Sequence, residues 1–172
     1  MKRIAVIFLL LIPLILNGCG QKEPVIDQKI ALICRYIDYS DSFIHRGYYL
    51  DRNGNKVYFD LTNESRDYAD YNKLYEYLLT KFDSSERKPF FNEEELKKCY
   101  EYLYSVDLDA EIKKEPYAND FGLIVIYGVR LTEGEEPTFI QLGGWGDVIL
   151  TNTDENAAKI IDILGDDIWK TK

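Results

Sequence analysis

The sequence predicts an α+β domain: a mainly antiparallel sheet of about five to six strands, with two central helices and a C-terminal helix packed on it. Three observations carry this expectation. Two aromatic-rich runs flank Asp51-Arg52-Asn53-Gly54-Asn55, where Asn-Gly supplies the positive φ that a tight hairpin demands. Asn92 and Glu95 stand at capping-box spacing, with Phe91 and Leu96 in the two staple positions, so a helix starts there. Strand-like runs lie both before and after the helical stretches, giving the order strands, two helices, strands, helix.

Taken in order, Ile30 to Tyr39 is rich in β-branched and aromatic residues and reads as a strand, with Leu32, Cys34 and Tyr36 on one face and Ile33 and Ile37 on the other. Gly47–Leu50 and Lys56–Leu61 form the hairpin. A first helix follows the polar stretch Thr62–Ser65, with Asn63 or Ser65 as its cap and Tyr71, Leu74, Tyr75, Leu78, Leu79 and Phe82 as its apolar stripe. The second helix buries Leu96, Cys99, Tyr100 and Leu103. Phe121 to Leu131 is almost continuously apolar, as expected of a central strand covered on both faces. After a turn at Glu133–Pro137, Thr138–Leu142 and Asp147–Leu150 are strands joined through Gly143-Gly144-Trp145-Gly146. The last helix starts near Asn152 with Glu155 three residues on, lines its inner side with Ala157, Ile160, Ile161 and Leu164, and stops at Gly165.

The N-terminus has a different purpose. Lys2 and Arg3 precede an apolar stretch of 13 residues, 4–16, broken only by Pro13. A membrane-spanning helix needs roughly 20 such residues, so the stretch suits the apolar region of a secretion signal. It ends in Leu16-Asn17-Gly18-Cys19, which resembles the lipobox of bacterial lipoproteins. The resemblance implies diacylglyceryl attachment to the Cys19 thiol, cleavage after Gly18, and a palmitate-type acyl anchor. The expected organisation is a signal segment over 1–18, the lipidated Cys19 and a polar tether over 19–27, and one α+β domain over 28–172. The protein is thus expected to hang from the cell membrane or outer membrane on its extracytoplasmic side. The Tyr-rich strands and the segment Gly146–Asn152 are similar in style to small bacterial lipoproteins, but the domain resembles no family of known function and inherits no active residue.

The net charge is −9. Losing residues 1–18 removes Lys2 and Arg3 and no acid, so 19 basic against 30 acidic side chains leave −11. Such a surface repels phosphate backbones, and with no Lys/Arg cluster to override it nucleic acid is excluded as a partner. With Cys19 used by lipid, Cys34 and Cys99 form either a disulfide or two thiols packed as small hydrophobes. His45 is the one histidine and no CxxC occurs, so neither a metal nor a cofactor is expected.

Few residues suggest chemistry. The 51–55 segment imitates a calcium loop, but Gly54 holds the fourth place instead of the sixth, and Thr62 stands where a bidentate Glu belongs. His45 lies in no nucleophile motif and is expected on a loop or strand end, exposed. Asp107, Asp109 and Glu111, and Asp154, Glu155, Asp166 and Asp167, could supply a hydrolytic carboxylate pair, though a solvated acidic surface explains them as well. Fourteen tyrosines and two tryptophans exceed what a small core requires. Tyr48, Tyr49 and Trp145, next to turns, are the candidate ligand contacts, set against simple rim packing over the sheet. The expected function is a binding or interaction module recognising an extracytoplasmic peptide, glycan or protein. The alternatives are a carboxylate-dependent cell-envelope hydrolase and a spacer without any concave site.

Overall fold

A computed structural model describes residues 28–38, 44–62, 64, 68, 70–117 and 122–166. The signal segment 1–18, Cys19 and the tether to residue 27 lie outside the described residues, as do the cap candidates Asn63 and Ser65. In chain order the elements are β1 (Ile30–Asp38), β2 (Ile44–Asp51), β3 (Asn55–Asp60), α1 (Tyr71–Lys81), β4 (Lys88–Pro89), α2 (Glu93–Ser105), β5 (Ile112–Pro116), β6 (Leu123–Arg130), β7 (Thr138–Gly146), β8 (Val148–Asn152) and α3 (Glu155–Leu164).

The α+β class and the antiparallel sheet are as expected, but the sheet has eight strands, in the order β4-β3-β2-β1-β6-β7-β8-β5, instead of five to six. Every neighbouring pair is antiparallel. The two extra strands are the two edges. β4 is Lys88-Pro89 and β5 is Ile112-Lys113-Lys114-Glu115-Pro116. Both carry the lysines and proline that keep sheet edges from pairing further, and those residues erase the apolar alternation by which a strand is read from sequence.

Strand alternation then divides the core in two. On one face, Ile33, Tyr49, Val57 and Val129 pack under Leu74, Tyr75 and Leu78 of α1. On the other, Leu32, Cys34, Tyr48, Leu50 and Ile126 lie under Leu96, Cys99, Tyr100 and Leu103 of α2 and Ala157, Ile160 and Leu164 of α3. Each large apolar side chain buried there contributes about 1.5–3 kcal/mol. β1 and β6, at the centre, are covered on both faces. No helix among the described residues is long and apolar enough to cross a membrane.

Local signals explain the helix ends. Asn92 Oδ1 accepts from the Glu95 amide and Glu95 Oε2 accepts from the Asn92 amide, both at 3.0 Å, closing the expected capping box. α1 is capped by Asp70, whose Oδ1 accepts from the Asn72 and Lys73 amides. α3 is capped by Asp154 in the same way, while Asn152 sits two residues earlier, accepts from the Asp154 amide and donates to the Gln141 carbonyl.

Candidate functional site

The 51–55 segment is a hairpin turn. The Gly54 amide donates to the Asp51 carbonyl, and Gly54 holds φ at 76°, which a side chain would resist. The carboxylate of Asp51 is fully buried. Its Oδ1 accepts from the Asn53 and Asn55 amides at 2.9 Å, and its Oδ2 meets Arg87 Nε at 3.2 Å. Arg87 also donates to the Phe82 carbonyl and stacks over the Phe82 ring, so this acidic side chain ties three chain segments together.

Tyr48 and Tyr49, expected beside the turn as ligand contacts, are each 1 % exposed. They point to opposite faces and fill both cores: Tyr48 lies with Cys34 under α2, and Tyr49 stacks on Phe82 with centroids 6.3 Å apart. Neither ring is offered to the surface. His45, expected exposed, is buried in β2 with its ring edge-on to Phe59, and burial followed by the charge of Arg35 lowers its pKa to about 4. Cys34 and Cys99 lie in the α2-side core with no disulfide between them, and burial pushes both thiols up to about 12.

In the acidic clusters Asp107 and Asp154 are engaged locally, and Asp167 lies outside the described residues. Asp107 Oδ1 accepts from the Asp109 amide, and the Asp107 amide donates to Asp154 Oδ2. Burial alone would raise Asp154, yet the amides of Asp107, Asn156 and Ala157 hold it below the usual carboxylate range. Asp60 is lowered by hydrogen bonds from Thr62, and Glu94 by its bond from Lys98. A hydrolytic pair needs one carboxyl raised, and Asp154 is shifted the other way.

Trp145 is the expected contact that does reach a surface. β7 runs through to Gly146, further than the strand expected over Thr138–Leu142, with a bulge at Leu142 that lets Ile126 pair with Gly143 and Tyr127 with Gln141. β8 pairs with β7 only at Gly143–Thr151 and Gly144–Leu150. Beyond that pair the chain turns over at Asp147: Trp145 and Gly146 stay with Ile124 and Leu123 of β6, while Val148 and Ile149 pair with Pro116 and Glu115 of β5. Gly146 shapes this turn. Its φ is 152°, and a Cβ there would fall on the Gly122 carbonyl.

The result is a groove of about 250 Å³ between the turn end of the β7–β8 hairpin and α3, with Trp145, Gly143, Ile149, Thr151, Ile161 and Asp162 in its lining. The half-buried indole forms one wall. The Tyr117 ring lies 5.5 Å from it at 50° and is itself 59 % exposed. Two backbone bonds hold the pair in place, Tyr117 N to Asp147 O at 3.1 Å and Asp147 N to Gly122 O at 2.9 Å. Register partners continue the surface across the sheet, from Trp145 through Ile124 and Tyr36 to Arg46 and Asp60. Trp145 and Tyr36 stand two strands apart, about 10 Å. The Arg46 guanidinium lies 5.5 Å from the Tyr36 ring centroid, and Tyr36 Oη donates to Asp38 at 3.3 Å.

Sequence reasoning missed Tyr117 and Tyr36 as members of this surface. Tyr117 follows a charged edge strand and has no pattern around it, while Tyr36 reads as one more core position of β1. A second cleft, about 480 Å³, opens between Phe90, Phe91, Glu95 and the end of α3 at Gly165 and Asp166. Arg35 was also missed. Buried on the α1 side, it lies 4.1 Å from the Tyr71 ring centroid and donates to Tyr71 Oη at 2.5 Å, which donates to Tyr127 Oη. Burial foremost raises the Tyr127 phenol. This chain fastens α1 to the sheet. No family model, curated protein or solved structure matches the chain.

Proposed function

We propose that this is a lipid-anchored cell-envelope protein, held through Cys19 in the cell membrane or outer membrane with its domain on the extracytoplasmic side, and that the domain binds a peptide, glycan or protein at the Trp145 surface. One observation carries the binding reading: Trp145 lines an open groove at the β7–β8 turn, beside the exposed ring of Tyr117. Large aromatic rings at a concave surface supply contact area at small entropic cost, which is why they dominate binding sites. A mere spacer has no use for such a groove. The anchor rests on the Leu16–Cys19 motif.

The test of binding is a thermal-shift screen of the full chain in detergent against glycans, peptidoglycan fragments, short peptides, calcium and zinc. A ligand at about 100 times its Kd adds about 2.7 kcal/mol to the folded state. The expected result is a hit whose shift disappears in Trp145→Ala; a hit that persists in that variant places binding elsewhere and overturns the reading. For the anchor, labelled palmitate should enter the protein in bacterial cells and fail to enter Cys19→Ser.

A further inference from the structure

The groove beside Trp145 has an uneven chemistry. Leu142, Gly143, Ile149, Ile161 and the indole make its lining mostly apolar, and Asp162, on the outer turn of α3, is its single ionisable residue; among the described residues no lysine or arginine lines it. At about 250 Å³ it is small beside the roughly 300–1,000 Å³ of sites that enclose a whole small molecule. It has room for one long side chain. An apolar channel with a carboxylate at its exposed wall matches a side chain made of a methylene stem and a cationic head, since such stems lie along apolar surface while the charge stays at the water boundary. The indole adds its own attraction for a cation over the ring face. A chain with net charge −9 also draws basic partners towards itself before contact.

We propose that this groove receives a lysine or arginine side chain of a peptide or protein partner, its stem along Trp145 and Ile161 and its cation at Asp162. The proposal rests on reading the Trp145 surface as the binding site, and it adds the chemistry of the ligand.

The test follows the indole N–H signal of Trp145, assigned with Trp145→Phe, by NMR of the full chain in detergent micelles. The probes are blocked Gly-Gly-Lys-Gly-Gly, the same peptide with norleucine for lysine, and an N-acetylglucosamine oligosaccharide. The lysine peptide should move the signal saturably, and the norleucine peptide should bind about threefold to fivefold more weakly, the size of a solvent-exposed ion pair. Asp162→Asn should weaken the lysine peptide by that factor and leave norleucine unchanged, so that the preference vanishes in the double comparison. Gly143→Ala is the steric control: its Cβ would sit at ordinary contact, 3.4 Å from the Leu150 carbonyl oxygen and 3.6 Å from Ile161 Cδ1, so the fold tolerates it while the groove loses depth. Both peptides should weaken there.

Equal binding of the two peptides, or a lysine preference that survives Asp162→Asn, overturns the proposal. A signal moved by the oligosaccharide alone also overturns it, while the Trp145 surface stands as a binding site. If every probe leaves the indole unmoved the basic-side-chain assignment fails, and the wider reading fails with it only when the thermal screen is flat too.

Discussion

At one end of the sheet, the carboxylate of Asp51 gathers two backbone amides and the Arg87 guanidinium and stitches the β2–β3 turn shut. At the opposite end, β7 turns into β8 around Trp145, and the chain there is held by the backbone bonds of Asp147 and by two tilted rings. β2 reaches both regions, with Asp51 at its finish and the neutral, buried His45 near its start. The contrast teaches where this fold can accommodate a ligand. A turn whose polar groups are consumed by a buried charge has nothing to offer a partner, whereas a turn flanked by a groove leaves apolar side chains beside unfilled space.

The largest expected effect comes from breaking the stitched end. Asp51→Ala leaves the guanidinium and two amides without their acceptor and should cost about 3–4 kcal/mol in urea unfolding. Asp51→Asn, which keeps the shape and removes the charge, should cost less. A loss below about 1 kcal/mol for Asp51→Ala would mean that the Gly54 turn alone closes this end. The next effect belongs to His45. Burial lowers its folded pKa from 6.5 to about 4, so between those values the unfolded chain binds a proton that the folded one refuses. Stability should therefore be complete above about pH 6.5 and fall as pH drops towards 4, by roughly 3 kcal/mol in all. His45→Phe should flatten that slope, leaving only the loss at lower pH from depressed carboxylates such as Asp60 and Asp154.

Legibility in the sequence follows the same division. The closed end was readable because its devices are local: Asn53-Gly54 for the turn, and Asn92 with Glu95 for the helix that starts beside it. The central strands were readable because burial on both faces produces an unmistakable apolar run, as in β6 over Leu123–Arg130. The edge strands were not, since lysines and prolines replace the pattern there. Tyr48 and Tyr49 misled for a geometrical reason. Adjacent strand positions face opposite ways, and with helices on both faces each ring was covered, so nearness to a turn carried no information about exposure. Trp145 was legible through the glycines around it. The groove was not, because it depends on how β7 docks on β6 and β8 on β5, and that is settled by pairing between segments mostly about 20 to 40 residues apart in the chain.

Two smaller effects sharpen the contrast at the open end. Gly146→Ala must force a side chain into φ of 152° and against the Gly122 carbonyl, and should cost about 2 kcal/mol while moving Trp145 and abolishing ligand shifts. Tyr117→Ala should be the mildest change for stability and the most informative. With its ring 59 % exposed and its backbone bond to Asp147 untouched by the substitution, it should lose less than about 1 kcal/mol. If Tyr117 only shields Trp145 from water, ligand affinity should be unchanged within error. If instead the two rings form one contact surface, affinity should fall severalfold at almost constant stability, and Tyr117→Phe, which keeps the ring, should restore it. A large stability loss would show that Tyr117 pins β5 to the β7 end, making the open end as firmly closed as the Asp51 turn and removing the difference on which the binding surface rests.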